Sequence, residues 1–115
     1  MTTIAENTGL VTLINVFTVE PSNQMELLDI LARATDASVR DVPGFISAAL
    51  HRSVDGTKVT MYAQWKSAGH YQHYQSMRSD PVASPYVEQA RAIAKFDPRM
   101  YEVVKVFAGP SKPTR

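Results

Sequence analysis

The chain has 115 residues, no cysteine, and 12 lysine and arginine residues against 11 aspartate and glutamate residues. A chain of this length forms one domain around one core, so residues 1–115 are predicted to be a single domain. The even charge balance gives no electrostatic footprint for nucleic acid or an anionic membrane, and the missing cysteines exclude disulfides, thiolate metal sites, iron–sulfur clusters and cysteine nucleophiles.

The amino terminus and the hydropathy of the chain favour a cytoplasmic protein. Residues 1–9 lack the basic-then-apolar order of a signal peptide, and no apolar run reaches membrane-spanning length. A reducing compartment also fits a chain without cysteine. We expect no nucleic-acid and no membrane partner, and we expect residues 1–9 and 110–115 to be flexible tails.

The first two predicted elements are a central strand and a helix. Residues 10–19 are rich in Val, Ile, Thr and Phe, with apolar side chains on both faces. Ser22 or Asn23 caps the helix, which ends near Asp41 because Pro43 disfavours helical geometry in the residue before it. An apolar stripe at three- and four-residue spacing, typical of a helix that packs on a sheet, consists of Met25, Leu28, Leu31 and Ala32.

A β-hairpin follows the helix. Its first strand spans residues 45–53, and its second strand alternates in hydropathy and ends at Trp65, the only tryptophan. Asp55-Gly56 between the two strands is a strong hairpin signal. The hairpin therefore presents the indole just before the next helix.

The remaining elements are a broken helix and a last strand. Ser67 can cap the helix, which is interrupted around Asp80-Pro81 and resumes to run through Lys95. Asp97-Pro98 stops it, and residues 100–108 alternate in hydropathy as a strand does.

The order strand, helix, strand, strand, helix, strand predicts an α+β fold. It matches the ferredoxin-like split β-α-β-β-α-β pattern, with a four-stranded antiparallel sheet and both helices on one face. Because Leu13 and Phe17 lie on one face of the first strand while Ile14 and Val16 lie on the other, both faces need cover. A second copy of the sheet is the simplest lid, so we predict a homodimer; exchange of the last strand between copies stays open.

Several segments, in this order and spacing, resemble the antibiotic biosynthesis monooxygenase family. They are Val42-Pro43-Gly44-Phe45, the hairpin from His51 to Thr57, Tyr62-Ala63-Gln64-Trp65, and the aromatic-rich helix that follows. The resemblance covers nearly the whole chain and implies a dimeric α+β barrel with a pocket between sheet and helices in each subunit. It implies that an anthrone- or quinol-like polycyclic phenol meets dioxygen there and becomes a quinone, with no flavin, haem or metal cofactor.

Trp65 is the first candidate catalytic residue. It shares a strand face with Val59, Met61 and Ala63, and we expect the helices to cover this face. A buried indole most often fills the core. The resemblance implies instead that Trp65 lines the pocket, stacks on a flat substrate and takes part in oxygenation.

Asn15 is the second candidate, as the odd polar residue in an apolar strand that should neighbour the strand of Trp65. A buried amide needs hydrogen-bond partners. Asn15 either caps a backbone group or faces the dimer interface, or it donates to a substrate oxyanion as the enolate forms. Four residues before Trp65, where several anthrone oxygenases carry a second asparagine, stands Met61, whose thioether cannot donate and would widen the apolar part of the pocket.

His51 is the third candidate, because imidazole titrates near neutrality and can move protons. A two-residue turn at Asp55-Gly56 would set His51 opposite Thr60, away from Trp65, whereas a three-residue turn would pair it with Val59 on the tryptophan's face. The resemblance favours the second register. The alternative is a solvated hairpin histidine.

Tyr71 and Arg91 are candidate substrate-binding residues, together with Met61. The resemblance aligns Tyr71 with a pocket tyrosine that could hydrogen-bond a substrate hydroxyl, although a stripe such as Tyr71, Tyr74 and Met77 is usually core. Arg91 borders an apolar helix face. Its guanidinium either extends to solvent or turns inward to an anionic substrate.

Two cofactor-dependent alternatives are weaker. His70 and His73 have a metal-binding spacing and could join His51, but no carboxylate stands at a partner spacing, so no metal site is expected. Haem-degrading relatives would need an axial histidine further along the helix, where Gln75 stands. The predicted function is a monooxygenase that acts on a small aromatic substrate with dioxygen; the alternatives are a noncatalytic dimeric module that binds an aromatic metabolite and, less favoured, a haem-degrading enzyme.

Overall fold

The computed structural model describes residues 2–6, 8–78 and 85–110. The elements in these ranges are β1 (Val11–Val19), a 3-10 turn (Pro21–Asn23), α1 (Gln24–Ser38), β2 (Phe45–Arg52), β3 (Lys58–Trp65), α2 (Ala68–Arg78), α3 (Pro85–Ile93), β4 (Ala94–Lys95) and β5 (Pro98–Tyr101).

The described strands form one antiparallel sheet with β1 inside it. The strand order is β2-β3-β1-β4, and β5 pairs with β1 along the same edge as β4, further toward the start of β1. This is the predicted ferredoxin-like α+β fold, and β1 is central as its apolar composition indicated. No described helix is long and apolar enough to cross a bilayer.

The helices cover only one face of the sheet. The register pairs Val11 with Trp65, Asn15 with Met61, and Phe17 with Val59, so these side chains share that face. Side chains of the sheet and of the helices form two buried clusters there. The first consists of Phe17, Val19, Leu27, Ile30, Leu31, Val59 and Ala90. The second consists of Leu13, Ala63, Trp65, Tyr71 and Tyr74.

The second face carries apolar side chains that belong to neither buried cluster. Ile14 and Val16 are half-buried there, and Ile14 pairs with Tyr62. The N-terminal residues reach this face near the end of β3, where the side-chain amide of Gln64 donates to the carbonyl of Thr3 at 2.5 Å. The flexibility of residues 1–9 stays a prediction, and residues 111–115 lie outside the described residues.

The hairpin turn is held by side chains of its own loop. Gly56 has φ +83°, which glycine adopts without strain. The carboxylate of Asp55 accepts hydrogen bonds from the Thr57 backbone N–H at 3.0 Å and from the hydroxyls of Ser53 and Thr57 at 2.8 Å each. These bonds, the backbone bond first, lower the pKa of Asp55 to about 2. Because the folded pKa is depressed, this support is present at neutral pH and is lost as the pH falls through that value.

The carboxyl-terminal part differs from the prediction. A strand over residues 100–108 was expected, but β5 spans Pro98–Tyr101, and residues 102–110 form no strand. β5 ends here because Tyr101 pairs with Thr12, and β1 begins only one residue earlier, at Val11. Residues after Tyr101 therefore have almost no partner strand left to pair with. The helix expected to run through Lys95 ends at Ile93. The interruption expected around Asp80-Pro81 lies outside the described residues.

Gly44 lets the start of β2 approach α2 closely. Its φ is +89°, and a Cβ at this position would lie 2.3 Å from a ring carbon of His70. That imidazole is fixed because its Nδ1 lies 2.7 Å from the Ser67 hydroxyl. The Ser67 hydroxyl also accepts from the His70 backbone N–H at 3.2 Å, which is the predicted helix cap.

We predict that Gly44→Ala lowers the free energy of unfolding by about 2 kcal/mol or more, since it adds a steric clash to backbone strain. Gly9→Ala is the matched control, because Gly9 has φ +76° but open space around it. It should lose only the strain, about 1 kcal/mol. Chemical denaturation measures both, and equal losses in the two variants would rule out the close contact with His70.

Candidate active site

Trp65 is the centre of an aromatic cluster. Its side chain is 1% exposed. The rings of Phe45 and Tyr71 meet the indole edge-on, each with centroids 5.5 Å apart, and Tyr74 stacks on it at 5.5 Å with an interplanar angle of 27°. The cap at Ser67 starts α2 right after β3, so the helix turns back and lays its tyrosines over the indole.

The indole N–H of Trp65 has no acceptor among the described residues, although it is buried. Buried donors are nearly always paired, because an unmet donor costs its full desolvation penalty. A buried tryptophan that only filled core would normally find one partner for this N–H. The unpaired donor therefore points to a ligand or a bound water.

Asn15 is 3% exposed and faces the same space as Met61, its cross-strand partner. Its Oδ1 accepts a hydrogen bond from the Asp97 backbone N–H at 3.1 Å. This is the backbone-capping role weighed above. It commits the oxygen of the carboxamide and leaves the NH₂ group, for which the described residues provide no acceptor.

A cavity lies between the sheet and the three helices. Its volume is about 70 Å³, which is below the range of pockets that enclose a whole drug-sized ligand. Its described lining is mostly apolar and aromatic and consists of Leu13, Asn15, Phe17, Leu31, Ala34, Thr35, Val39, Phe45, Ala48, Met61, Ala63, Trp65, Tyr71, Tyr74, Tyr86, Val87, Ala90 and Phe96.

The cavity brings together four of the six predicted site residues. Trp65, Asn15, Met61 and Tyr71 all line it. Thr35 also lines it, but its hydroxyl donates to the Leu31 carbonyl at 2.8 Å. The side-chain nitrogen donors of the described lining are the Asn15 NH₂ and the indole N–H, and no described acceptor takes up either of them.

His51 lies elsewhere. The register pairs His51 with Thr60 and Arg52 with Val59, so the expected register with His51 on the tryptophan's face is wrong. The hairpin closes with a bond from Ser53 N–H to the Lys58 carbonyl around the loop 54–57, and this sets the alternation. His51 is exposed and does not line the cavity.

Arg91 also lies outside the cavity lining. It is exposed on α3, its Nε is 3.9 Å from a Glu88 carboxylate oxygen, and its guanidinium lies 5.1 Å from the ring centre of Phe96. Phe96 itself lines the cavity. Arg91 therefore covers the outer side of a lining residue, which is the solvent-directed position considered above.

Several cavity residues were not predicted as site residues from the sequence, among them Phe45, Tyr86 and Phe96. Phe45 pairs with Trp65 across the hairpin, so the predicted hairpin held the signal for it. Tyr86 and the buried Ala90 stand four residues apart on α3 and thus share a helix face. Phe96 follows β4 at the point where the strand breaks, and hydropathy alone gives no signal for its position.

The described residues contain no cluster of histidine and acidic side chains suited to a metal ion. His70 is engaged by Ser67 beside Gly44. No histidine lines the described part of the cavity. The side chains for a metal centre or an axial haem ligand are therefore not found in this lining.

A family model described as antibiotic biosynthesis monooxygenase matches residues 10–92. The chain belongs to the antibiotic biosynthesis monooxygenase family. It is 39% identical over 111 residues to tetracenomycin-F1 monooxygenase of Streptomyces glaucescens, and the match covers 96% of each chain. This relationship makes the chain a monooxygenase.

Solved structures of family members share the fold. The monooxygenase from the gene ActVA-Orf6 of Streptomyces coelicolor, in complex with the ligand nanaomycin D, has a TM-score of 0.72 and 26% identity and covers 87% of this chain and 92% of that chain. SnoaB of Streptomyces nogalater, a cofactor-independent oxygenase, has a TM-score of 0.70 and 22% identity over 87% of this chain and 98% of that chain.

We predict that a planar tricyclic quinone quenches the fluorescence of this monooxygenase, because its single tryptophan lines the cavity. The probe is 1,8-dihydroxyanthraquinone. Ala48→Leu should weaken its binding at least fivefold, since Ala48 lines the cavity and the larger side chain fills space there. Ala49→Leu is the matched control, because Ala49 is the next residue of β2 and points to the other face. Equal binding in both variants would place the ligand outside the cavity.

Proposed function

We propose that this family member is a cofactor-independent monooxygenase that oxidises an anthrone- or quinol-like polycyclic phenol to a quinone. The observation that carries the proposal is a pair of unpaired donors in an apolar aromatic cavity, the Trp65 indole N–H and the Asn15 NH₂. The 39% identity to tetracenomycin-F1 monooxygenase supports this reaction class. The apolar, aromatic lining matches the chemistry of a flat aromatic substrate, and the two donors suit its oxygens.

The reaction needs no bound electron carrier, because the substrate supplies the electrons. Loss of one C–H proton gives an enolate, which transfers one electron to dioxygen. The carbon radical and superoxide then recombine, and a proton completes a hydroperoxide at that carbon. Loss of water converts the CH–OOH group to C=O, so anthrone and O₂ give anthraquinone and H₂O.

Enolate formation is the step that the protein assists. A preorganised donor in an apolar site stabilises a developing oxyanion more than water does. The Asn15 NH₂ is such a donor, 3% exposed and next to the apolar Met61. The described lining contains no carboxylate, imidazole or amine, so we propose that water takes the proton once the oxyanion is stabilised.

Trp65 positions the aromatic rings of the substrate. Tyr74 already stacks on the indole, so the substrate is left with its other face or its N–H edge. In this proposal Tyr71 contributes to substrate binding beside Trp65, and Met61 forms an apolar wall. Arg91 affects the cavity only through its contact with Phe96. His51 lies outside the cavity and takes no part in the chemistry there.

We predict that Trp65→Phe and Asn15→Ala each cut turnover tenfold or more, a loss of about 1.4 kcal/mol of transition-state stabilisation. The assay is oxygen uptake by the metal-stripped protein with dithranol as an anthrone surrogate, against a no-enzyme control. The matched control is His51→Ala, which should keep the wild-type rate.

The outcomes separate the alternatives. Unchanged rates in both cavity variants would overturn the assigned roles. Binding of 1,8-dihydroxyanthraquinone without any oxygen uptake above the control would favour the noncatalytic binding module.

We further propose that the active form is a homodimer built on the face that the helices leave uncovered. Ile14 and Val16 supply apolar surface there, and the hydroxyl of Tyr62 is buried without a partner among the described residues. A second sheet would cover these groups and create the dimeric α+β barrel of the family resemblance.

Light scattering at micromolar concentration should therefore give twice the mass of one chain. Ile14→Glu should shift the protein to monomer, because it buries a charge at the interface. Val54→Glu is the control, since Val54 lies fully exposed in the hairpin loop and should leave the dimer intact. A monomeric wild type would contradict the proposal.

A further inference from the structure

The hydrogen bond between Asn15 and Asp97 replaces a regular bond of the sheet. Thr18 pairs with Lys95 and Asn15 pairs with Pro98 at the same offset, which sets Val16 opposite Asp97. The Val16 N–H donates to the Asp97 carbonyl at 3.3 Å. In a regular antiparallel ladder such a pair exchanges two bonds, so the Asp97 N–H would donate to the Val16 carbonyl. Here it donates to Oδ1 of Asn15 instead.

The diversion coincides with the break between β4 and β5. β4 ends at Lys95 and β5 begins at Pro98, so the two residues between them leave the strand although the register continues. The side chain of Asp97 takes no part, because its carboxylate faces outward and accepts from the Arg99 Nε at 3.1 Å. Phe96 anchors the break from the cavity side through an edge-on contact with Phe17, with centroids 4.8 Å apart. The backbone N–H of Asp97 is thereby held in place.

The bond also decides which end of the carboxamide faces the cavity. A carboxamide has a donor end and an acceptor end, and rotation by 180° exchanges them. Because the Asp97 N–H can only donate, its partner has to be the carboxamide oxygen and not the NH₂ group. With Oδ1 committed to the backbone, the NH₂ is the end left for a ligand.

We propose that the backbone N–H of Asp97 is a positioning group, which holds the Asn15 carboxamide with its NH₂ toward the cavity and so presents a donor, not an acceptor, to the substrate oxyanion. The inference rests on the proposed function, in which Asn15 stabilises the enolate. At the strand break, the Asp97 N–H therefore donates to the side chain of Asn15 and not to the Val16 carbonyl of the sheet. A flipped carboxamide would turn a carbonyl oxygen toward the oxyanion and repel it.

The test removes the N–H and leaves the side chain in place. Residues 1–93 are ligated to a synthetic peptide of residues 94–115 in which an ester replaces the amide N–H of Asp97. A temporary cysteine at Ala94 permits the ligation, and its later desulfurisation is selective because the chain has no cysteine. The matched control carries the same ester at Tyr101, in the same strand pair and outside the cavity lining.

The Asp97 ester should lower kcat for dithranol about tenfold, as far as Asn15→Ala does, with KM within about twofold. Under anaerobic conditions, the absorbance of bound dithranol should show its ionisation pKa raised by about one unit in both proteins. In a protein that already carries Asn15→Ala, the Asp97 ester should lower kcat no further, because both changes remove the same interaction with the substrate. A merely structural role would not move the pKa of the bound ligand.

The outcomes distinguish this inference from the proposed function. If Asn15→Ala loses activity and the Asp97 ester does not, the positioning inference is wrong while the proposed function stands. If neither loses activity, the oxyanion role of Asn15 fails and the inference fails with it. Nuclear Overhauser spectra of the unmodified protein give a second test, which does not depend on whether any variant folds. Strong contacts between the Asn15 NH₂ protons and the Asp97 amide proton would reveal the flipped carboxamide and overturn the proposal.

Discussion

The pairing of β1 with β3 is the constraint on which the cavity depends. In this register Asn15 lies opposite Met61, and Trp65 lies opposite Val11. A slip of β1 by one residue would turn Asn15 to the other face of the sheet, away from Trp65. The register is held by burial, since Phe17 and its partner Val59 are at most 3% exposed on the helix-covered face. The packing that stabilises the fold therefore also fixes the geometry of the site.

The site contains a buried polar group without a hydrogen-bond partner, which a core optimised for stability alone would not contain. An unpaired buried N–H, such as that of Trp65, costs about 1–3 kcal/mol. Aromatic pairs contribute about 0.5–1.5 kcal/mol each beyond the area they bury, and the indole makes such contacts with Phe45, Tyr71 and Tyr74. The aromatic shell therefore offsets the unpaired donor and holds it rigid. A donor that is already desolvated and fixed has little reorganisation left to undergo when a substrate arrives.

The sequence was sufficient where hydropathy periodicity decides the answer. It predicted the order of the elements apart from the short strand β4, the central position of β1, and the face of β3 that carries Trp65. It was insufficient where a few polar contacts decide. The face of His51 depends on how Ser53 and Lys58 close the hairpin loop, and a glycine signal fits more than one loop length. The early end of β5 depends on where its partner strand begins, and the role of Asp97 belongs to its backbone, which residue identity does not reveal.

Met61 changes the environment of Asn15 as well as the number of donors. Directly opposed residues in an antiparallel pair have Cβ atoms about 4.5–5.5 Å apart, so an asparagine at position 61 would set a second carboxamide beside the first. Two neighbouring amides share the negative charge of an oxyanion, but they also hydrogen-bond each other and attract water. A thioether does neither, and the lower local polarity strengthens each remaining hydrogen bond. Under the proposed function, the single amide then carries the whole interaction with the oxyanion, which makes its orientation, and with it the Asp97 hydrogen bond, more important in this chain than in one with two amides.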